Sequence, residues 1–161
     1  MRPLVSVMIP CFQAEGTLEL ALASVRAQTA GDLECLCLDD GSTDRTWTML
    51  SEAAVRDRRF RIERSLHNRG RGAARKRLLE QARGEYLVFL DADDWMYPQR
   101  IERELAWLAL DRRIAAVSAA AAVTNGPDEL VGLMRPGGAK VPRLSRTSGA
   151  RPHRPCSFRR P

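Results

Sequence analysis

The chain has 161 residues, 44% hydrophobic and 29% charged, enough for one globular domain with a sizeable core. No apolar stretch reaches 18 residues and the N-terminus lacks a basic region followed by a long apolar run, so neither a transmembrane helix nor a secretion leader is expected. The net charge of +6 belongs to the tail: eight basic residues and no acids lie from Arg135 onward, leaving 18 of the 26 basic residues against all 20 acids before it, which argues against nucleic-acid binding by the folded part.

Leu4–Ile9 is a short apolar run closed by Pro10 and predicts a first strand. Residues 15–28 carry Leu18, Ala21, Leu22 and Val25 at helical spacing. Leu33–Leu38 predicts a second strand, ending at Asp39-Asp40-Gly41-Ser42. Ser42 or Thr43 can cap the next helix, with Asp44 in its first turn and Trp47, Leu50, Ala54 and Val55 as its apolar stripe. A short strand is expected over 60–64, a loop over 68–72 and a helix over 73–82, with Gly84 as its C-terminal cap. Residues 85–90 predict a fourth strand, 98–111 a helix opened by Pro98, and the alanine-rich run 114–123 a fifth strand.

Strands alternating with helices imply βαβ units, a mainly parallel sheet and helices on both faces. Ligands then bind outside the carboxyl ends of the strands. Pro10, Asp39-Asp40 and Asp91-Ala92-Asp93-Asp94 all fall at such ends, so three separate segments converge on one edge. From residue 126 onward Gly, Pro and Arg replace large apolar residues, and five of the nine prolines lie from Pro136. The expected organisation is a folded domain over 1–125 and a disordered tail over 126–161.

Leu87-Val88-Phe89-Leu90 is wholly apolar, yet three carboxylates follow within four residues: Asp91, Asp93 and Asp94. Their mutual repulsion gives folding no reason to choose them. Hard oxygen ligands suit Mg²⁺ or Mn²⁺, and such a cation bridges a diphosphate. Metal contact is assigned chiefly to Asp93. Asp91 is a second metal ligand or a ribose partner, and Asp94 a cap of the next turn. Asp40 is expected to face a ligand, where its carboxylate can accept a base N–H, while Asp39 supports the turn. Phe12 can lay its ring against a base. Glu15 opens a helix, where negative charge is favoured with or without a ligand. Between Asn68 and Lys76, Arg75 stands out as a diphosphate partner, although the segment is neither a Walker loop nor a dinucleotide fingerprint.

Other chemistries fit poorly. Cys11, Cys35, Cys37 and Cys156 form no Cys-x-x-Cys pair and the two histidines stand apart, so zinc is not expected. Cys35 and Cys37 alternate with Leu36 and Leu38 as in a strand interior, and the cysteines read as small buried apolar residues in a reducing compartment. A receiver-like signalling domain needs a lysine at a late strand end, and Lys76 and Lys140 do not sit there.

Taken in order, these segments resemble the family 2 glycosyltransferases of the GT-A fold. The resemblance runs from Val5 to about Leu108, roughly two-thirds of the chain, and rests on Ser6–Glu15, Ser24–Thr29, Leu38–Asp44, Asn68–Arg75 and Ala82–Asp94. Each piece is weak by itself; the ordered set is specific. The resemblance implies a Rossmann-like nucleotide-diphospho-sugar transferase fold, an inverting reaction and a nucleotide-sugar donor, often UDP-linked. It implies that Pro10, Phe12, Glu15 and Asp40 line the nucleoside pocket and that Asp91-Ala92-Asp93 is the metal and ribose motif. Phe12-Gln13 stands where the family usually has Tyr-Asn, and Lys76 where it usually has Asn.

An inverting transferase also needs a general base for the acceptor hydroxyl. In the family that carboxylate lies in an acceptor-binding half. Here the only acids after Asp111 are Asp128 and Glu129, which match no such motif, so no base is identified. The expectation is a donor-binding part whose acceptor half is missing or replaced. The alternative is a non-catalytic nucleotide-sugar-binding fragment. The acceptor (a glycan, a lipid-linked glycan or a small molecule) is not specified. The expected location is cytoplasmic, with the Arg-rich tail offering a peripheral contact to anionic membrane.

Overall fold

The computed structural model describes residues 3–119 and the backbone of three further strand segments, 121–124, 130–134 and 156–159. The first four strands alternate with helices as the periodicity predicts: β1 (Val5–Cys11), α1 (Leu18–Arg26), β2 (Leu33–Asp39), α2 (Thr46–Arg56), β3 (Phe60–Arg64), α3 (Arg71–Gln81), β4 (Tyr86–Phe89) and α4 (Arg100–Leu110). Four further strands are described: β5 (Ala116–Ser118), β6 (Ala121–Thr124), β7 (Leu130–Met134) and β8 (Cys156–Arg159). The main sheet runs in the order β3-β2-β1-β4-β8-β5. β1 to β4 pair in parallel, and β8 runs antiparallel to both β4 and β5. This is the mainly parallel, helix-flanked sheet expected.

The near-continuous apolar strands are explained by burial on both faces. Val7, Ile9, Cys35, Cys37 and Val88 pack with Leu18, Leu22, Leu50 and Ile101 of α1, α2 and α4. The intervening Met8, Leu36, Leu38 and Leu87 point to the opposite face, against Ala74 and Leu78 of α3. Cys11, Cys35 and Cys37 are buried free thiols, and burial pushes the Cys11 thiol up, so core packing is the role their setting supports.

Several local expectations are corrected. α2 starts at Thr46, because Asp44 Oδ1 accepts the Thr46 N–H at 3.0 Å and ends the turn there. Val55 is 88% exposed, while Leu50 and Ala53 face the core. Gly84 does not cap α3: a Cβ there would lie 2.5 Å from the Ser6 backbone nitrogen, so close packing against β1 requires the glycine. The fifth strand divides into β5 and β6, which join different sheets; its alanines have little preference for extended backbone. Within the stretch expected to be disordered, Leu130–Met134 and Cys156–Arg159 form strands. The second pairs with the edge of β4, whose row of open backbone groups is a template indifferent to composition. Asp128, Glu129 and the Arg-rich run 135–155 lie outside the described residues.

At the amino ends of the strands, away from Asp40 and Asp91, Glu34 ties three elements together. Its carboxylate accepts Ser6 Oγ–H at 2.7 Å, Arg61 Nη1–H at 2.7 Å and the Arg83 backbone N–H at 2.8 Å. Burial alone would raise this carboxyl; the hydrogen bonds from Ser6, Arg61 and Arg83 outweigh it and hold the group below the usual carboxylate range. A lowered folded-state value contributes stability above the unfolded value, and this is lost as pH falls through the folded one. Glu34→Gln should therefore cost about 2 kcal/mol at neutral pH and flatten the loss of stability on acidification. Thermal melts across the carboxylate range check this. Parallel acid limbs for variant and wild type would contradict it.

Candidate functional site

The carboxyl ends of β1 and β2 are bound to each other by hydrogen bonds between loops. Gln13 follows β1 with φ +50°, a left-handed conformation rare outside glycine. Its backbone N–H donates to Ser42 Oγ at 3.0 Å, and its Oε1 accepts the Thr43 and Asp44 N–H groups at 2.9 and 3.2 Å. Ala14 N–H donates to Thr46 Oγ1 at 2.8 Å. The turn after β1 is thus fastened to the turn after β2, and Phe12 between them is left 49% exposed.

The two aspartates at the end of β2 have different partners. Asp39 Oδ1 accepts the Ser42 N–H at 3.0 Å, and its other oxygen lies 3.1 Å from Arg64 Nε, so it holds the turn. Asp40 is 3% exposed. Its Oδ2 accepts the Arg69 and Gly70 N–H groups at 3.0 and 2.8 Å. Gly70 adopts φ +86°, which lets the chain turn there. Asp40 Oδ1 is buried and has no hydrogen-bond partner. A buried acceptor left open is costly, and a ligand donor would relieve it.

After β4, Asp91 is 8% exposed and Asp93 is exposed. Asp91 Oδ1 accepts from Arg75 Nη2 at 2.6 Å, and Arg71 Nη1 lies 3.9 Å from Asp91 Oδ2. The Asp94 N–H closes a turn on the Asp91 carbonyl at 3.0 Å. α4 is anchored beneath this loop by Gln28, whose amide donates to the Tyr97 carbonyl at 2.9 Å and accepts the Ile101 N–H at 3.2 Å.

Between these ends lies a cleft of about 550 Å³ lined by Pro10, Phe12, Asp40, Asp91, Ala92 and Asp93, together with Cys11, Gln13, Ala14, Thr17, Asn68, Arg71 and Ala74. Its size is ordinary for a small-molecule site. Six of the eight site residues named from sequence are therefore brought together. Arg75 stands behind Asp91 instead of lining the cleft. Glu15 faces elsewhere: its Oε2 accepts the Arg45 N–H at 3.0 Å, and it lines a separate cleft with Arg45 and Arg56. Its implied nucleoside-pocket role finds no support in that placement. The roles of Gln13, Thr17 and Ser42 were missed, since each depends on a loop about 30 residues away or on the cleft itself.

The carboxylates suit a divalent cation only of one kind. Among the described residues no three His, Cys, Asp or Glu side chains converge to cage a metal. Mg²⁺ and Mn²⁺ are commonly held by one or two carboxylates, with phosphate and water filling the other positions. Asp93 and Asp91 fit a cation that arrives with a diphosphate.

A family model described as Glycosyl transferase family 2 matches residues 6–158. The chain belongs to glycosyl transferase family 2. Relatives of this family 2 chain include the putative glycosyltransferase EpsH of Bacillus subtilis (strain 168), 36% identical over 103 residues, covering 64% of this chain and 30% of that protein. Chondroitin synthase of Escherichia coli is 37% identical over 116 residues, covering 71% of this chain and 17% of its own. Among solved structures, the mannosyltransferase PcManGT from Pyrobaculum calidifontis, in complex with GDP-Man and Mn²⁺, superposes with a TM-score of 0.66 at 28% identity, covering 78% of this chain and 36% of that one. Staphylococcus aureus TarS 1-349 in complex with UDP-GlcNAc shares the fold, with a TM-score of 0.64 at 24% identity, covering 79% and 36%. The chain thus spans less than half the length of each of these relatives.

Proposed function

We propose that the strand-end cleft binds a nucleoside-diphosphate sugar, UDP-linked, and that the chain is the donor-binding part of an inverting glycosyltransferase. One observation carries this reading: a single cleft has a buried carboxylate oxygen without a donor at Asp40 and an exposed carboxylate at Asp93. The first suits the N–H edge of a base, and the second suits the metal-bound diphosphate. Phe12 lies against the base, and Pro10 and Ala92 shape the walls. Arg71 reaches the phosphates from α3. Mg²⁺ or Mn²⁺ held by Asp93, with Asp91, would offset charge on the departing diphosphate. Family membership and the Mn²⁺ and GDP-Man of PcManGT support the donor class.

Transfer also requires a base on the acceptor side. Asp40, Asp91 and Asp93 are the acids lining the cleft among the described residues, and each has a donor-side task. That favours, as a second reading, donor binding without transfer by this chain alone. A tail contact with anionic membrane would rest on residues outside those described. No described helix is long and apolar enough to cross a membrane.

Calorimetry tests the donor reading. UDP should bind in the presence of Mn²⁺, more tightly than GDP. Asp93→Ala should remove the Mn²⁺-dependent part, a loss of about tenfold or more. Equal affinity of wild type and variant would sink the metal assignment. Release of free sugar or its transfer to added glycan acceptors separates enzyme from binding fragment.

A further inference from the structure

We infer that Arg75 is a standing counter-ion for Asp91, so that the cleft takes up a divalent cation only together with a diphosphate. The inference rests on the donor reading above and deepens it. Asp91 is largely buried at the cleft wall, yet it already has a cation: Arg75 Nη2 donates to its Oδ1 at 2.6 Å. Arg71 adds a second guanidinium, with Nη1 3.9 Å from the other oxygen. The two arginines are four residues apart on α3 and so share one helix face.

Arg75 is held in place by more than the pair. Its guanidinium carbon lies 5.2 Å from the Phe89 ring centroid, so the ring supports the charge from beneath. Its side chain is 34% exposed, and its buried Nε makes no hydrogen bond. The identified polar anchor of this side chain is therefore Asp91.

A bare divalent cation approaching this wall meets one uncompensated carboxylate, Asp93, and two nearby positive charges. No third metal-ligating side chain completes a cage among the described residues. Binding of the cation alone is correspondingly poor. A diphosphate changes both conditions. It attracts Arg71, which is half exposed and lines the cleft, and it brings oxygen ligands of its own. The Asp91 oxygen facing Arg71 then becomes available beside Asp93, while Arg75 keeps the other. Arg75 is in these terms a positioning residue: it sets the order in which charge is assembled, and it acts through Asp91.

The test is Mn²⁺ binding by the full chain, read from the electron paramagnetic resonance signal of free Mn²⁺, with and without UDP. No turnover is needed. The wild type should bind Mn²⁺ weakly alone, and UDP should tighten it by about 100-fold. Arg75→Met keeps an apolar side chain over Phe89 and removes the charge. It should raise affinity for Mn²⁺ alone by about tenfold and shrink the UDP enhancement by the same factor. Arg75→Gln repeats the test if methionine unfolds the chain. Arg75→Lys keeps the charge and should behave as the wild type. Unchanged Mn²⁺-only affinity in the neutral variants, with the UDP enhancement intact, overturns the counter-ion role and leaves the donor reading standing. A lysine variant that gains Mn²⁺ affinity like methionine also overturns it. Absence of any UDP enhancement in the wild type removes the donor reading and the inference together.

Discussion

Asp40→Ala is expected to weaken nucleotide binding by at least about a hundredfold, close to 2.7 kcal/mol. The substitution acts twice. It removes the open oxygen proposed to meet the base, and it takes from the Arg69 and Gly70 N–H groups the carboxylate that now holds them at 3.0 and 2.8 Å, leaving Gly70 only its bond to Asn68 Oδ1. Hydrogen bonds to a charged acceptor are each worth roughly 1.5–3 kcal/mol, so both effects are large. Asp40→Asn separates them. Its amide oxygen can still receive a loop N–H, while its NH₂ group offers a donor where the base also presents one. We expect Asn to melt nearer the wild type and yet bind UDP nearly as poorly as Ala. Calorimetry paired with thermal melts checks both halves. A variant with the asparagine that binds UDP like the wild type would show that Asp40 only builds the loop.

Gly84→Ala should be among the most destabilising single changes in the chain. The added Cβ would fall 2.5 Å from the Ser6 nitrogen and 2.7 Å from the Val5 carbonyl carbon. Both belong to the backbone of β1, which has β2 and β4 on its two sides and cannot yield. The same movement would break the Gly84 N–H bond to Ser6 Oγ, now 2.8 Å long. A cost of about 3 kcal/mol or more follows from overpacking plus a lost buried bond. For a chain of this size that lowers the melting temperature by roughly 6–12 °C. Gly72→Ala is the control. It lies within α3 with nothing within 4 Å of the added carbon, so alanine should leave stability unchanged or raise it by up to about 1 kcal/mol. Equal melting of the two variants would contradict the close-packing account.

What was legible in the sequence was whatever a single segment declares about itself. The apolar runs at Val5–Ile9, Leu33–Leu38 and Leu87–Leu90 needed burial on both faces, and the acids after them needed a reason other than folding. Position at strand ends points Pro10, Asp40, Asp91 and Asp93 to one edge of the sheet, where all four line the cleft. What was not legible depends on partners remote in the chain. Glu15 looks the same whether its carboxylate meets a ligand or the start of α2; only the Arg45 N–H at 3.0 Å decides. Gly84 reads as helix punctuation until Ser6 is seen beside it. Asp40 reads as a ligand residue, but not as the anchor of a loop 30 residues on. β8 could not be found by hydrophobicity, because the open edge of β4 selects it. Arg75 reads from its charge as a phosphate partner, whereas the carboxylate it holds is sixteen residues away.

The claim that three strand ends form one metal-assisted nucleotide site is tested most directly by a crystal structure of the chain with UDP and Mn²⁺, using the anomalous signal of manganese. The expected result is one Mn²⁺ within coordination distance of Asp93 and both phosphates, with the uracil edge against Asp40 Oδ1 and the ring near Phe12. Manganese bound away from Asp93, or UDP seated outside the strand-end cleft, would contradict the account.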